Sequence, residues 1–144
     1  MAKSAKSPTR PVIAARASSM DRAGIALLCA AAWLVPGAGH LWLGRRQKGL
    51  VFLGALTAMF VIGLALEGRL FPIELSQPLV ALAAVAELGV GLVHVGARLL
   101  GFGAGTAVAA TYEYGNTFLI VAGLLNFLVM LDVFDIAMGR KTRA

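Results

Sequence analysis

Eighteen consecutive residues, 49–66, carry no charged side chain, and this run constrains the fold more than any other feature. A helix of that length and character matches the hydrocarbon core of a bilayer, which takes about 20 apolar residues to cross. Of the 144 residues, 59% are hydrophobic and only 14% are charged, whereas soluble domains carry roughly 25% charged residues. The sequence therefore predicts an all-α integral membrane protein.

Long apolar runs predict a bundle of about four transmembrane helices, arranged as two hairpins. Pro36 interrupts the first run, because proline removes a backbone donor and kinks or ends a helix. Residues 24–43 therefore either span with a kink or re-enter the membrane. Residues 102–110 either extend the third helix or form a short re-entrant segment. Internal repetition is weak, since only the first hairpin carries a turn motif. The expected helices are 22–43, 49–66, 79–100 and 117–138.

Basic residues are concentrated near the two chain ends and give a net charge of +6. Such flanking clusters anchor membrane proteins against anionic lipids, which we expect as partners. Residues 1–22 have no large apolar cluster to bury and are predicted to be a disordered basic tail. Residues 23–144 are then the transmembrane domain. No aromatic residues interleave the basic tail, so nucleic acid is not expected as a partner.

The positive-inside rule places the chain as a multi-pass protein of the bacterial inner membrane, with both termini cytoplasmic. Four full spans put Arg45, Arg46 and Lys48 on the outer side, against that rule. A re-entrant first segment returns this cluster inside but moves the C-terminal basic residues outside. Four spans are favoured, because irregular backbone exposed to lipid is forbidden.

The segment between the first two apolar runs reads Trp-Leu-Val-Pro-Gly-Ala-Gly-His-Leu-Trp-Leu-Gly-Arg-Arg-Gln-Lys-Gly. Its glycines allow positive φ and close backbone approach. Its histidine has no second metal ligand nearby. We expect the ring to cap carbonyls freed by the proline, or to meet a headgroup phosphate beside the two arginines. The turn motif comprises Pro36, Gly37, Gly39, His40, Gly44, Arg45, Arg46 and Gly49.

The pattern Pro-Gly-x-Gly-His-x-x-x-Gly in this segment resembles the turn of the TM-two domain family, small membrane proteins with two helices. Leu41 and Trp42 stand where that family has an aromatic pair. A later Tyr-x-x-Gly-Asn-Thr-Phe-Leu segment ending at Leu119 is similar to one in a bacterial family of uncharacterised four-helix membrane proteins. The resemblance implies a helical membrane fold and no particular reaction.

Polar residues within the apolar runs predict an intramembrane network. Glu87, His94 and Arg98 are spaced seven and four apart, so on one continuous helix they form a single stripe, with Gly91 beside them for close backbone approach. An ionised side chain near the bilayer centre costs about 2.5–3.5 kcal/mol. The stripe must therefore face protein, and the fourth helix offers partners. The predicted network is Glu87, His94, Arg98, Asn126 and Asp132.

No acid pair, nucleophilic triad or metal-ligand spacing is present, so no catalytic residue, cofactor or metal is expected and the protein is predicted not to be an enzyme. The favoured function is a scaffold or accessory subunit of a membrane assembly, with other membrane subunits as expected partners. The alternative is a channel or transporter subunit in which the Glu, His and Arg stripe relays protons or ions. The sequence names no substrate, partner or oligomeric state.

Overall fold

Six α-helices and one 3₁₀ turn make up residues 20–141, the part of the chain that this computed structural model describes. Most of the predicted basic tail, residues 1–19, lies outside that part. The elements are α1 (Arg22–Leu34), α2 (Ala38–Trp42), α3 (Arg46–Ala65), α4 (Pro78–Glu87), the 3₁₀ turn (Leu88–Val90), α5 (Leu92–Leu99) and α6 (Tyr112–Ala137).

Two helices are long and apolar enough to cross a membrane, α3 with 20 residues and α6 with 26. The number rises to three if α4 with its 3₁₀ turn and α5, which meet at a bend of 106°, count as one broken span. The prediction of four continuous spans is therefore not met within residues 20–141. The second and fourth predicted helices are found, whereas the first and third are each broken.

The first break lies at the predicted turn motif. Helix α1 ends at Leu34, and Gly37 then adopts a φ of +80° and caps α2. A side-chain carbon on Gly37 would overlap the carbonyl oxygen of Gly49. Positive φ and close backbone approach thus occur together at Gly37, as the sequence predicted. The expected helix 22–43 is instead two helices joined by a reversal.

The second break lies at Gly91, with a φ of +57°. A side-chain carbon there would overlap the carbonyl oxygen of Trp33. The close approach of another backbone at Gly91 is thus confirmed, but the continuous helix 79–100 is wrong. The chain turns because a left-handed glycine ends the 3₁₀ turn where α1 comes against it. The residues that follow, 100–111, form irregular turns rather than an extension of the third helix.

Each break creates a hairpin that reaches the middle of the molecule and returns. The N-terminal hairpin is α1 and α2, residues 22–42. Its α1 packs beside Val133 and Ala137 near the end of α6 and finishes beside Asn126, halfway along that helix. The central hairpin is α4, the 3₁₀ turn and α5, residues 78–99. It starts beside Asn116 and Thr117 near the beginning of α6 and also reaches Asn126.

The return of the central hairpin is fixed by backbone contacts to the loop after α3. The Leu70 N–H donates to the Gly103 carbonyl at 2.9 Å, and the Thr106 N–H donates to the Glu67 carbonyl at 3.2 Å. The two hairpins therefore enter from opposite ends of the bundle and each leaves at its own end.

Helix α6 is the element against which both hairpins and α3 pack. It begins at Tyr112, five residues before the predicted start of the fourth helix. Gly115 packs on the backbone of Gly68, and Gly123 packs on the backbone of Ala86 so closely that neither site has room for a side chain. Small residues thus allow helices to approach where no hydrophobic driving force exists in lipid.

The described basic residues fall mostly at one end of the bundle, here called the basic end. The starts of α1 and α3 and the end of α6 meet there, since α3 and α6 are antiparallel. Among the described basic residues, only Arg69 and Arg98 belong to the segments of the opposite end. Both sequence-based topologies placed Arg45, Arg46 and Lys48 on the side opposite the C-terminal basic residues, whereas the structure places these two clusters at the same end. The basic end carries Arg22, Arg45, Arg46, Lys48, Arg140 and Lys141.

Candidate functional site: the junction of the two hairpins

The carboxyl ends of α1 and of the 3₁₀ turn meet halfway along α6, at Asn126. Its side-chain amide nitrogen lies 2.7 Å from the Gly89 carbonyl oxygen, 3.1 Å from that of Trp33 and 3.3 Å from that of Ala32. The side chain is fully buried. Two N–H groups thus serve three carbonyls that have no partner within their own helices. One residue of α6 joins both hairpins.

A second bond joins the hairpins directly, since the indole N–H of Trp33 donates to the Leu88 carbonyl at 3.1 Å. Helix carboxyl ends carry partial negative charge, so two of them meeting inside a bilayer repel each other. The N–H donors of Trp33 and Asn126 offset that charge. Tryptophan rings in membrane proteins usually lie at headgroup depth, but Trp33 lies at the junction.

Glu87 lies one turn before the junction and is fully buried. One carboxylate oxygen accepts a hydrogen bond from the Phe71 N–H at 2.9 Å, and the other has no partner among residues 20–141. Asn116 acts similarly on the same loop, accepting a bond from the Arg69 N–H at 2.8 Å. These two side chains therefore hold the loop after α3 against the bundle.

The predicted stripe on one continuous helix does not form, because the chain bends at Gly91, between Glu87 and the two residues on α5. His94 is 2% exposed, and its ring centroid is 6.4 Å from that of Phe60 on α3. Its Nδ1 has no partner in the described part of the chain. Arg98 is exposed on the last turn of α5.

His40 and Asp132 form a separate polar cluster near the basic end. His40 is fully buried, and its Nε2 lies 2.9 Å from an Asp132 carboxylate oxygen. Lys141 donates to the other oxygen of Asp132. That hydrogen bond raises the pKa of the Lys141 ammonium above its usual value. The cluster ties the N-terminal hairpin and the segment after α6 to the same helix.

The predicted polar network is thus distributed over three places. Asn126 donates hydrogen bonds to both hairpins at their junction. Asp132 pairs with His40, and Glu87 accepts a hydrogen bond from the loop after α3. No direct hydrogen bond joins any two of the five predicted network members within residues 20–141. The same stretch holds no group of three or more His, Cys, Asp or Glu placed to bind a metal.

The two halves of the structure repeat one plan with opposite orientation. Each has a half-length helix, a glycine with positive φ, a short returning helix and then a long helix. Gly37 is followed three residues later by buried His40, and Gly91 three residues later by buried His94. The His40 ring lies 5.0 Å from Phe52, also on α3. Sequence reasoning missed this inverted repeat, although the shared Gly-x-x-His spacing was a signal for it.

A model of a family of unknown function, DUF6677, matches residues 27–142. The chain belongs to the DUF6677 family. The matched region begins within α1 and ends beyond α6, so DUF6677 covers both hairpins and both long helices. The predicted resemblance to an uncharacterised family is confirmed in that form. Comparisons with curated proteins and with solved structures each gave no match.

Chemically, the junction is suited to holding helix ends together. Its donors are amide and indole N–H groups, which do not ionise near neutral pH, and its acceptors are backbone carbonyls. The titratable side chains Glu87 and His94 lie beside it and are buried. The arrangement therefore locks two half-helices inside an apolar bundle.

Proposed function

We propose that this protein is a non-enzymatic integral membrane protein that serves as a scaffold or accessory subunit of a membrane assembly. The observation that supports this most is the Asn126 junction, where the side-chain amide N–H groups of Asn126 bind backbone carbonyls of both hairpins. Such pairing fixes helix position and register. The partners of this function are the bilayer with its anionic lipids and other membrane subunits.

The proposed location is the bacterial inner membrane, with the TM-two-like turn at the cytoplasmic surface. The collection of basic residues at one end of the bundle supports this orientation, because Lys and Arg concentrate on the cytoplasmic side of short membrane proteins. Purification in a gentle detergent, followed by identification of co-eluting subunits, tests the scaffold function. A chain that purifies alone at native expression level would contradict it.

The topology gives a separate prediction. Reporter fusions at Met1 and Ala144 are expected to report the cytoplasmic side, since two spans and two re-entrant hairpins return the chain to its starting side. A third reporter inserted after Glu74, in the loop between α3 and α4, is expected to report the opposite side. Opposite locations for the two terminal fusions would contradict this arrangement.

The alternative function is a channel or transporter subunit. Three buried polar atoms favour it, namely Glu87 Oε1, His94 Nδ1 and Asn126 Oδ1, because none has a hydrogen-bond partner in residues 20–141. Half-helices that meet inside the membrane also form the substrate and ion sites of transporters. In this alternative, Glu87 and His94 exchange protons or ions beside the junction.

Glu87→Gln distinguishes the two functions. The amide keeps the shape of the carboxylate and an oxygen that accepts the Phe71 N–H bond, so under the scaffold function we expect normal abundance and at most a mild phenotype. An amide does not carry a proton near neutral pH, so a proton relay would be lost. Abundance by immunoblot and growth of a chromosomal variant are the measurements. A null phenotype at normal abundance would favour transport over scaffolding.

A further inference from the structure

The start of α3 combines a concave surface, three positive side chains and free backbone donors. Gly44, Arg45, Arg46, Gln47 and Lys48 line an open pocket of about 340 Å³. No side chain caps the helix there. The first N–H groups of a helix have no partner within it, and the helix dipole adds partial positive charge at the same place.

Within the described residues, the positive side chains of this pocket have no carboxylate partner. In the described part of the chain, the ion pairs at the basic end join Asp132 to His40 and Lys141, and Asp135 to Arg140. No carboxylate in residues 20–141 lies within 4.0 Å of the pocket's arginines and lysine. Arg45 Nη2 is buried and also has no hydrogen-bond partner among residues 20–141. Asp132 and Asp135 are thus occupied elsewhere, and Asp21, before α1, forms no ion pair with the pocket.

The position of the pocket indicates where its ligand comes from. It lies at the start of α3, which is long and apolar enough to span a membrane. Trp42 precedes it by a few residues and is 73% exposed, as is typical of a tryptophan at headgroup depth. Three cations, a helix N-terminus and an interfacial tryptophan together fit an anionic headgroup whose acyl chains remain in the bilayer.

We propose that the pocket formed by residues 44–48 binds the phosphate of one anionic phospholipid. Arg46 and Lys48, both exposed, contact the phosphate oxygens, and the first N–H groups of α3 donate to the same group. Arg45, which is half-buried, holds the inner side of the pocket. This inference rests on the proposed membrane location and adds a specific lipid to the general attraction expected between a basic surface and anionic lipid.

Lipid retention by the purified full-length protein tests the proposal. The protein is transferred to mixed detergent micelles holding equal amounts of phosphatidylglycerol and phosphatidylcholine, and native mass spectrometry counts the lipids that stay bound. We expect one phosphatidylglycerol to be retained in preference to phosphatidylcholine. Arg46→Gln with Lys48→Gln is expected to weaken this retention by about tenfold or more. Each Lys or Arg near an anionic lipid contributes about 1 kcal/mol of binding free energy, and tenfold in affinity corresponds to about 1.4 kcal/mol.

The matched control is Arg22→Gln with Arg140→Gln, which removes the same charge from the same end outside the pocket. We expect it to retain the lipid as the unchanged protein does. Equal weakening in both double variants would overturn the proposal in favour of diffuse surface attraction. Absence of any preference for phosphatidylglycerol in the unchanged protein would also overturn it.

Free inorganic phosphate is the alternative ligand for this pocket, because it carries the same charged group as the lipid. Inorganic phosphate added at constant ionic strength is expected to leave the bound lipid in place, and displacement at low concentration would overturn the assignment to a lipid. Thermal unfolding of each variant, including the Lys48→Gln single variant, shows whether a loss of bound lipid reflects weaker binding or disrupted folding. Co-eluting subunits are scored in a separate preparation, so failure of the scaffold function is distinguishable from failure of this site.

Discussion

Gly37→Ala is expected to lower the free energy of unfolding by about 2–5 kcal/mol and to reduce the yield of folded protein. Two costs combine at this position. The left-handed φ of +80° disfavours any residue with a Cβ by about 1–2 kcal/mol. The new carbon would also overlap the Gly49 carbonyl oxygen, and forcing extra volume into a packed contact costs about 1–3 kcal/mol. Thermal unfolding in detergent measures the loss.

Gly44→Ala is the matched control for this change. Gly44 has nearly the same φ, +76°, but no atom of the described residues lies within 4 Å of a carbon added there. It is therefore expected to show the backbone strain alone, about 1–2 kcal/mol. The difference between the two variants isolates the contact between the hairpin turn and α3. Equal losses would mean that this contact contributes nothing to the position of the hairpin.

Asn126→Leu is expected to separate the two hairpins. The variant removes three hydrogen bonds at once and leaves the carbonyls of Ala32, Trp33 and Gly89 without their donor. Side-chain hydrogen bonds inside membranes average about 0.6 kcal/mol each, so we expect a loss of about 2 kcal/mol. Lower thermal stability and faster proteolysis near Pro36 and Gly91, where the hairpins turn, are the measurements.

Asn116→Leu provides the comparison, because it makes the same substitution on the same helix where one bond is lost instead of three. Asn116 accepts a single hydrogen bond, from the Arg69 N–H, and is 7% exposed. Its effect is expected to be roughly a third of that at Asn126. An Asn126 variant as stable as the Asn116 variant would show that the junction does not hold the hairpins together.

Much of the membrane character was predictable from residue patterns. The uncharged run at residues 49–66 corresponds to α3, and the run at 117–138 corresponds to most of α6. Pro36 and Gly37 were recognised as a break. These predictions succeeded because length, hydropathy and the stereochemistry of proline and glycine act locally. The start of α6 was placed too late, since Gly115 and Asn116 read as a turn but serve close packing and loop binding within a helix.

The polar residues show where such prediction stops. The stripe of Glu87, His94 and Arg98 assumes an unbroken helix, and a single left-handed glycine at position 91 removes it. Asp132 was predicted to pair with the polar stripe of the third helix, yet it pairs with His40 from the turn motif. His40 and Asp132 are 92 residues apart in sequence. Such a pair depends on which helices pack together, and the periodicity of one helix does not indicate its neighbours.

The sequence by itself determined that the chain is helical and apolar, that residues 49–66 and 117–138 hold runs long enough to cross a membrane, and that Pro36 interrupts the first run. Only the tertiary structure decided that the interrupted runs turn back as hairpins from opposite ends and meet at Asn126. The reason is physical. Hydropathy is a property of each segment alone, whereas a helix end inside a bilayer is tolerated only if another part of the chain satisfies its carbonyls.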